Sequence, residues 1–219
     1  MGYLIFDKQG ALYGTTQSGG LTNNLNWWPG TVFKLTPPTS SGGQWKETVL
    51  YRFGPIDGAA PSAGLIFDSQ GALYGTTSAG GDVGHRGARP QGTVFKLTPP
   101  SSAHGKWTET VLTKFIGTSI YSPTCTLLFD SKGALYGTTQ GVYPSASGYF
   151  QGSVFQLTPP APVAGNWQLN VLYEFSTPHG SGGTPKAGLI TGADGAFYGT
   201  LSEAGVSGSG GGVFRLQLP

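Results

Sequence analysis

Three side chains in two unrelated loops have the chemistry of acid–base catalysis. Asp82 and His85 lie in the segment GDVGHRGARPQG, and Glu203 lies in LSEAGVSGSGGG. A glycosidase needs one carboxyl group to protonate the leaving oxygen and a second to act as base or nucleophile. A polysaccharide lyase or another hydrolase needs a general base, for which His85 is suited. These residues are the candidate catalytic set of an enzyme, and the alternative is that each is an isolated polar loop residue.

Further polar residues in the loops have the chemistry to bind a ligand. Arg86 and Arg89 follow His85 in sequence. They suit a substrate carboxylate because a guanidinium presents a planar fork of donors. Asp57 lies in the first connection between repeat units and His179 in the third. We treat the two arginines, Asp57 and His179 as candidate ligand-binding residues, with a polar loop of mixed charge as the alternative.

A second group of candidates is aromatic. Trp27 and Trp28 are adjacent in the loop NNLNWWPG, and neither recurs elsewhere in the chain. Aromatic rings beside amide side chains suit sugars, whose apolar faces stack while their hydroxyls form hydrogen bonds. The alternative is that these loops fold back as a hydrophobic lid. The candidates in this group are the two tryptophans together with Asn24, Asn26, Tyr143 and Tyr149.

Other familiar chemistries lack their motifs. The sequence contains no His-x-His, no His-x-x-x-His and no aspartate cluster with calcium-loop spacing, so we expect neither a metal nor a cofactor. The GxSxG nucleophile motif is missing from any strand-to-helix context. Cys125 has no histidine near it in sequence and is predicted to be a small buried thiol.

Composition narrows the class of protein. The net charge is +2, only 10% of the residues are charged, and the lysines and arginines are scattered singly. We therefore expect no nucleic acid partner. No stretch approaches the roughly 18 apolar residues of a membrane span, so no membrane partner is expected. The chain has 38 glycines, 16 prolines and 12% aromatic residues, regularly placed, which indicates an all-β protein with many short strands.

The elements that must position these loops are written as a repeat. GALYGTT stands at 10–16, 71–77 and 133–139, and GAFYGTL at 195–201. Each copy follows an LIFD-type segment, and the next segments are of the types GTVFKLTPP and WKETVLYRF, the last without a copy in the fourth unit. These segments are rich in β-branched and aromatic residues and bounded by turn residues, which indicates strands. No segment has the 3.6-residue period of a helix.

Four strands per repeat predict the blades of a β-propeller. We expect one domain over residues 1–219, with units 1–64, 65–126, 127–188 and 189–219, four blades and fifteen strands, the last blade being three-stranded. Half of an eight-bladed homodimer and a fragment of a larger propeller are the alternatives. The loops after the second strand of each unit differ completely, and we call the face that they and the connections between units form the variable face.

Some residues are predicted to serve the scaffold. In GALYGTT a glycine is expected at a close-packed position and the tyrosine between blades. Asp7, Asp68 and Asp130 are expected to accept backbone hydrogen bonds in the first turn of each unit. Glu47 and Glu109 lie on outer strands and are expected to be solvated.

GALYGTT, GTVFKLTP, TVLYRF and DGAAPSAGLIFD together resemble the GloVer-type tandem repeats of bacterial surface and secreted proteins. The resemblance covers nearly the whole chain, and the third unit departs from it with SIYSPTCTLLFD. It implies a propeller-like array and an extracellular or cell-surface location. It brings no catalytic residues with it.

From the loops and the repeat we predict a ligand-binding module. The ligand is expected to be a carbohydrate or another small polar molecule, bound on the variable face near the central channel. A glycoside hydrolase or polysaccharide lyase is the first alternative, and a structural interaction scaffold is the second. The expected partner is thus a small molecule or glycan, and the expected state is monomer or homodimer.

Overall fold

The computed structural model describes residues 3–20, 29–54, 56–81, 91–102, 104–115, 122–141, 144–145, 148–161, 165–176, 183–204 and 210–218. Within these ranges the protein is all-β, with seventeen strands. Among the same residues there is no helix long and apolar enough to cross a membrane. The chain divides into two compact units, residues 1–114 and 115–219.

The first unit contains two antiparallel sheets of four strands each, and in both sheets the strands are neighbours in chain order. The first sheet is β1 (Ile5–Phe6), β2 (Leu12–Thr16), β3 (Thr31–Thr36) and β4 (Lys46–Arg52). The second sheet is β5 (Ile66–Phe67), β6 (Leu73–Thr77), β7 (Thr93–Thr98) and β8 (Thr108–Lys114).

The second unit contains two further antiparallel sheets built on the same plan. The third sheet is β9 (Leu128–Phe129), β10 (Leu135–Thr139), β11 (Pro144–Ser145), β12 (Gly148–Thr158) and β13 (Gln168–Ser176). The fourth sheet is β14 (Gly183–Pro185), β15 (Ile190–Thr191), β16 (Phe197–Ala204) and β17 (Gly210–Leu216).

These four antiparallel sheets are the blades of the four-bladed β-propeller that the repeat predicts. Two short strands, β11 and β14, lie outside that prediction, so the last blade has four strands where three are expected. They pair with β12 and β16, which are 11 and 8 residues long and extend beyond the repeated core. Extended backbone needs hydrogen-bond partners, and the extra strands supply them. A single domain over 1–219, and the choice between a closed ring and its alternatives, stay predictions.

An aspartate stabilises the first turn of each repeat unit. Oδ1 of Asp7 accepts hydrogen bonds from the backbone N–H groups of Gln9 and Ala11, both at 2.9 Å. Its Oδ2 accepts from the Tyr13 hydroxyl at 3.0 Å. Asp68 and Asp130 make the same three contacts in their own sheets. The predicted role of these aspartates is confirmed.

The repeated motif packs the blades together. A Cβ added to Gly75 would lie 2.6 Å from Cζ of Phe95, so only glycine fits there. The Tyr13 ring meets the Phe67 ring of the next sheet edge-on, with centroids 5.1 Å apart. Both predictions for GALYGTT, a close-packed glycine and a tyrosine between blades, are confirmed.

In each of the two compact units, a phenylalanine at the end of an outer strand (β4 or β13) joins neighbouring sheets. The Phe53 ring contacts the Phe95 ring of the second sheet at 5.0 Å. In the second unit, Phe175 contacts Phe214 of the fourth sheet at the same distance. Aromatic pairs in this edge-to-face arrangement add to the stabilisation from apolar burial. Adjacent sheets within each unit are therefore joined by matching contacts.

Candidate functional site

Most of the predicted site residues lie outside the described part of the chain, so their interpretation stays a prediction. These are Asn24, Asn26, Trp27, Trp28, Asp82, His85, Arg86, Arg89, Tyr143 and His179. Tyr149 belongs to β12, where its backbone stands opposite Pro144. Asp57 and Glu203 are described, and each can be placed.

Asp57 anchors the connection between the first and second sheets. Its Oδ1 accepts a hydrogen bond from the Gly54 N–H at 2.6 Å, and its Oδ2 accepts one from the Tyr51 hydroxyl. Its backbone carbonyl accepts from Oγ1 of Thr93 in the second sheet, at 3.2 Å. Burial, together with the adjacent Asp57 carboxylate, raises the pKa of Tyr51, which keeps this hydroxyl a donor. Both oxygens of the carboxylate are engaged within the protein.

Glu203 occupies a different setting from Asp57. It is exposed on the part of β16 that pairs with β14, and its backbone stands opposite Gly183. Its proposed catalytic partners, Asp82 and His85, lie outside the described residues. The predicted catalytic set is therefore not tested by the structure.

Glu109 is more buried than the sequence predicts. The sequence predicts a solvated side chain, but it is only partly exposed, and its Oε1 is buried with no hydrogen-bond partner among the described residues. Burial raises the pKa of Glu109 to about 7, and the negative charge of Asp57 adds to the rise, while Lys114 acts against it. The side chain therefore changes its charge near neutral pH.

The register explains why Glu109 is buried. It stands opposite Leu97, which is fully buried, so both side chains lie on the face of the second sheet that packs on the first. Leu169 has the same place in the third sheet, opposite Leu157. A leucine at the equivalent position is the sequence signal that marks this face as inward.

An open groove of about 630 Å³ lies in the first unit. One wall is the outer strand β4, from Thr48 to Arg52, and the other is the connection from β7 to β8 with Trp107. Trp107 packs against the core cluster of the first unit, and its ring lies 6.5 Å from that of Tyr13. Trp107 immediately precedes β8 and lies two residues before Glu109 in the sequence.

Among the described residues, the groove is lined by cations and by no carboxylate. Lys34, Arg52 and Lys106 are among its lining residues. Lys34 forms an ion pair with Asp7, with Nζ 3.3 Å from Oδ2. Arg52 and Lys106 are exposed and make no ion pair within the described ranges. We call this surface, defined by Tyr51, Arg52, Lys106 and Trp107, the blade groove.

The blade groove is not predicted by the sequence, because its two walls come from different repeat units. In the sequence Trp107 is recognisable only as a recurring position of the repeat. Its counterpart Trp45 is 47% exposed, so two tryptophans at the same position of the repeat have different environments. Within the described residues, no three histidine, cysteine, aspartate or glutamate side chains cluster as metal ligands would.

The chain is similar to known proteins in its sequence repeat and in its fold. A family model described as the Gloeobacter/Verrucomicrobia repeat matches residues 2–219. Among solved structures, the chain is similar to a protein provisionally described as a gluconolactonase, at 14% identity and a TM-score of 0.52. That match covers 98% of this chain and 62% of the other, and at this identity it shows the fold alone. No curated protein matches the chain.

Proposed function

Because this chain belongs to the Gloeobacter/Verrucomicrobia repeat family and its repeats form propeller blades, we propose that it is a ligand-binding module for acidic carbohydrate. The blade groove is the proposed binding site in the described part of the chain. The observation that carries the proposal is the lining of this groove, which among the described residues combines aromatic rings with unpaired cations and lacks carboxylates.

The chemistry of the groove suits a sugar acid. Trp107 and Tyr51 offer ring surface to the apolar face of a pyranose, and Thr36 and Thr48 offer hydroxyl groups. Arg52 is a bidentate partner for a carboxylate, and Lys106 is a mobile point charge at the other wall. A neutral sugar would use the rings and hydroxyls but not the charges, so acidity of the ligand is the distinguishing feature.

Binding fits this groove better than catalysis. Glu109 has a pKa of about 7, which suits a general acid, and this favours an enzyme on the same glycan as the second candidate. Neither Glu109 nor Asp57 lines the groove, however, and Asp57 is committed to Tyr51 and Gly54. We therefore place catalysis second. We also propose a surface or secreted location, because the proposed glycan ligand is extracellular.

Calorimetric titration with oligosaccharides tests the proposal. Oligogalacturonate is expected to bind, and neutral cello-oligosaccharide of equal length to bind at least tenfold more weakly. The double variant Arg52→Gln/Lys106→Gln should lose about tenfold in affinity for oligogalacturonate, since each exposed ion pair contributes up to about 1 kcal/mol. The matched control is Lys8→Gln/Lys132→Gln, which removes two exposed lysines from first turns of the repeat.

Two results would count against the blade groove. Equal affinity for acidic and neutral sugars would remove the role of the cations. Binding that survives the Arg52/Lys106 variant but disappears in Trp27→Ala/Trp28→Ala would move the site to the variable face. Release of reducing ends from oligogalacturonate, followed over hours, would favour the enzyme instead.

A further inference from the structure

The outer edge of β17 differs from the same edge in the other three sheets. The third main strand of each sheet carries the sequence VFKL, VFKL, VFQL or VFRL. In the first three sheets it pairs on its outer side with β4, β8 or β13. In the fourth sheet β17 pairs with β16 and with no other described strand.

Two side chains of β17 are less buried than their counterparts in the second sheet, which has an outer strand. Phe95 and its counterpart Phe214 each contact the phenylalanine of the preceding outer strand at 5.0 Å. Phe95 is nevertheless fully buried, whereas Phe214 is only partly buried. Leu97 and Leu216 differ in the same way. The contact between the blades thus has the same geometry in both places, and the covering strand is what differs.

A cleft of about 200 Å³ marks the place where the covering side chains would lie. It is lined by Val154, Tyr173, Phe175, Phe214, Arg215 and Leu216. In the second sheet the residues opposite Phe95 and Leu97 are Val111 and Glu109 of β8. Directly paired residues project to the same face of a sheet. A strand beside β17 would therefore place two side chains over this cleft.

We propose that the free edge of β17 accepts an extended segment with the pattern W-x-x-x-V-L-x-x-F, supplied by a further repeat of this kind. The chain itself defines this occupant, because β4, β8 and β13 all belong to segments with that pattern. In strand addition, main-chain hydrogen bonds provide affinity and alternate side chains provide specificity. This inference concerns the second unit and is independent of the blade groove.

The three paired sheets fix the register of the added strand. In each of them the valine of VFxL stands opposite the residue two positions after the valine of the outer strand, which is Tyr51, Thr113 or Tyr173. A bulge follows, and the phenylalanine stands opposite the outer-strand valine. On β17 the added strand should therefore place its tyrosine opposite Val213 and its valine opposite Phe214.

Register-specific disulfide exchange tests the proposal. Val213 is 77% exposed, so Val213→Cys should leave the fold intact. The probe is a synthetic peptide with the sequence of residues 44–53, QWKETVLYRF, carrying Tyr51→Cys as a mixed disulfide with thionitrobenzoate. The thiolate introduced by Val213→Cys attacks the peptide sulfur and releases one thionitrobenzoate for each new disulfide. Native Cys125 is buried and does not compete.

The matched control peptide carries Thr48→Cys in place of Tyr51→Cys. Opposite residues in an antiparallel pair have Cα atoms about 4.5–5.5 Å apart, which allows a disulfide. Residue 48 lies beyond the bulge: Thr48 stands opposite Lys34 in the first sheet, so in the same register it stands opposite Arg215 and out of reach of residue 213. The Tyr51→Cys peptide should therefore react at least tenfold faster than the Thr48→Cys peptide and than a scrambled peptide with the same cysteine.

Hydrogen exchange on the unmodified chain provides a second readout. Adding the native peptide should slow amide exchange at least tenfold in β17 and leave β12, which is already paired on both sides, unchanged. Equal reaction of all three cysteine peptides, or unchanged exchange in β17 at saturating peptide, would overturn the proposal. A disulfide homodimer of Val213→Cys that excludes the peptide would also overturn it, because the β17 edges of two copies would then pair with each other instead of with an outer-strand segment.

Discussion

Replacing Glu109 by glutamine should change how the stability of the protein depends on pH. The folded protein holds the proton on Glu109 up to a pKa of about 7, whereas the unfolded chain releases it near the ordinary value of 4.5. A raised carboxyl pKa means that the folded state binds the proton more tightly. Its contribution to stability is therefore fully present below pH 4.5 and is lost as the pH rises through 7.

The size of this effect follows from the difference between the two pKa values. Each tenfold change in proton affinity is worth about 1.4 kcal/mol, so a rise from 4.5 to about 7 corresponds to about 3 kcal/mol. Glu109 keeps partial solvent contact, which screens its charge, so we expect about half of that, roughly 1.5–2 kcal/mol. Glutamine has the shape of the protonated side chain and no charge to lose.

Urea denaturation at pH 4.5 and pH 8, followed by tryptophan fluorescence, measures the effect. Glu109→Gln should have nearly the wild-type free energy of unfolding at pH 4.5 and exceed it by about 1.5–2 kcal/mol at pH 8. The matched control is Glu47→Gln, at the equivalent but exposed position of β4 opposite Leu35, where no change is expected at either pH. A difference for Glu109→Gln that is the same at both pH values, or a less stable variant at pH 8, would refute the reasoning.

Three further predictions concern the scaffold. Gly75→Ala should lower the free energy of unfolding by about 2 kcal/mol or more, because the new Cβ would overlap the Phe95 ring. The control Gly210→Ala should change this free energy little, because a Cβ there meets no neighbour. Chemical denaturation measures both. Asp130→Ala should cost about 1–2 kcal/mol in the same assay, since two backbone N–H groups lose their acceptor, and Lys132→Ala in the same turn should be neutral. Cys125 should resist a thiol reagent in the native protein and react fully in urea, because burial both shields the thiol and raises its pKa; rapid labelling under native conditions would contradict this.

The repeat allowed the architecture to be predicted because the physical requirements recur in each copy. An aspartate at the turn, a glycine beneath a phenylalanine ring and a tyrosine between sheets are local or nearly local needs, so they are written identically in the first three units. The extra strands β11 and β14 escaped prediction because they lie outside the repeated segments, where no second copy reveals a pattern.

The site was harder to predict because it depends on contacts between repeats. Glu109 and Glu47 have the same place in the repeat, yet only Glu109 is covered, since the first sheet packs on its face. The same difference separates Trp107, which packs into the core cluster, from the exposed Trp45. The residue composition of a strand does not reveal which sheet packs against it. The apolar Leu169 was the available signal, and it indicates the direction of the face without identifying the groove.

A crystal structure of the chain with oligogalacturonate tests the central claim most directly. We predict a sugar ring stacked on Trp107 in the blade groove, with its carboxylate within hydrogen-bond distance of Arg52 or Lys106. A sugar bound only on the variable face, with the blade groove empty at saturating ligand, would contradict the account.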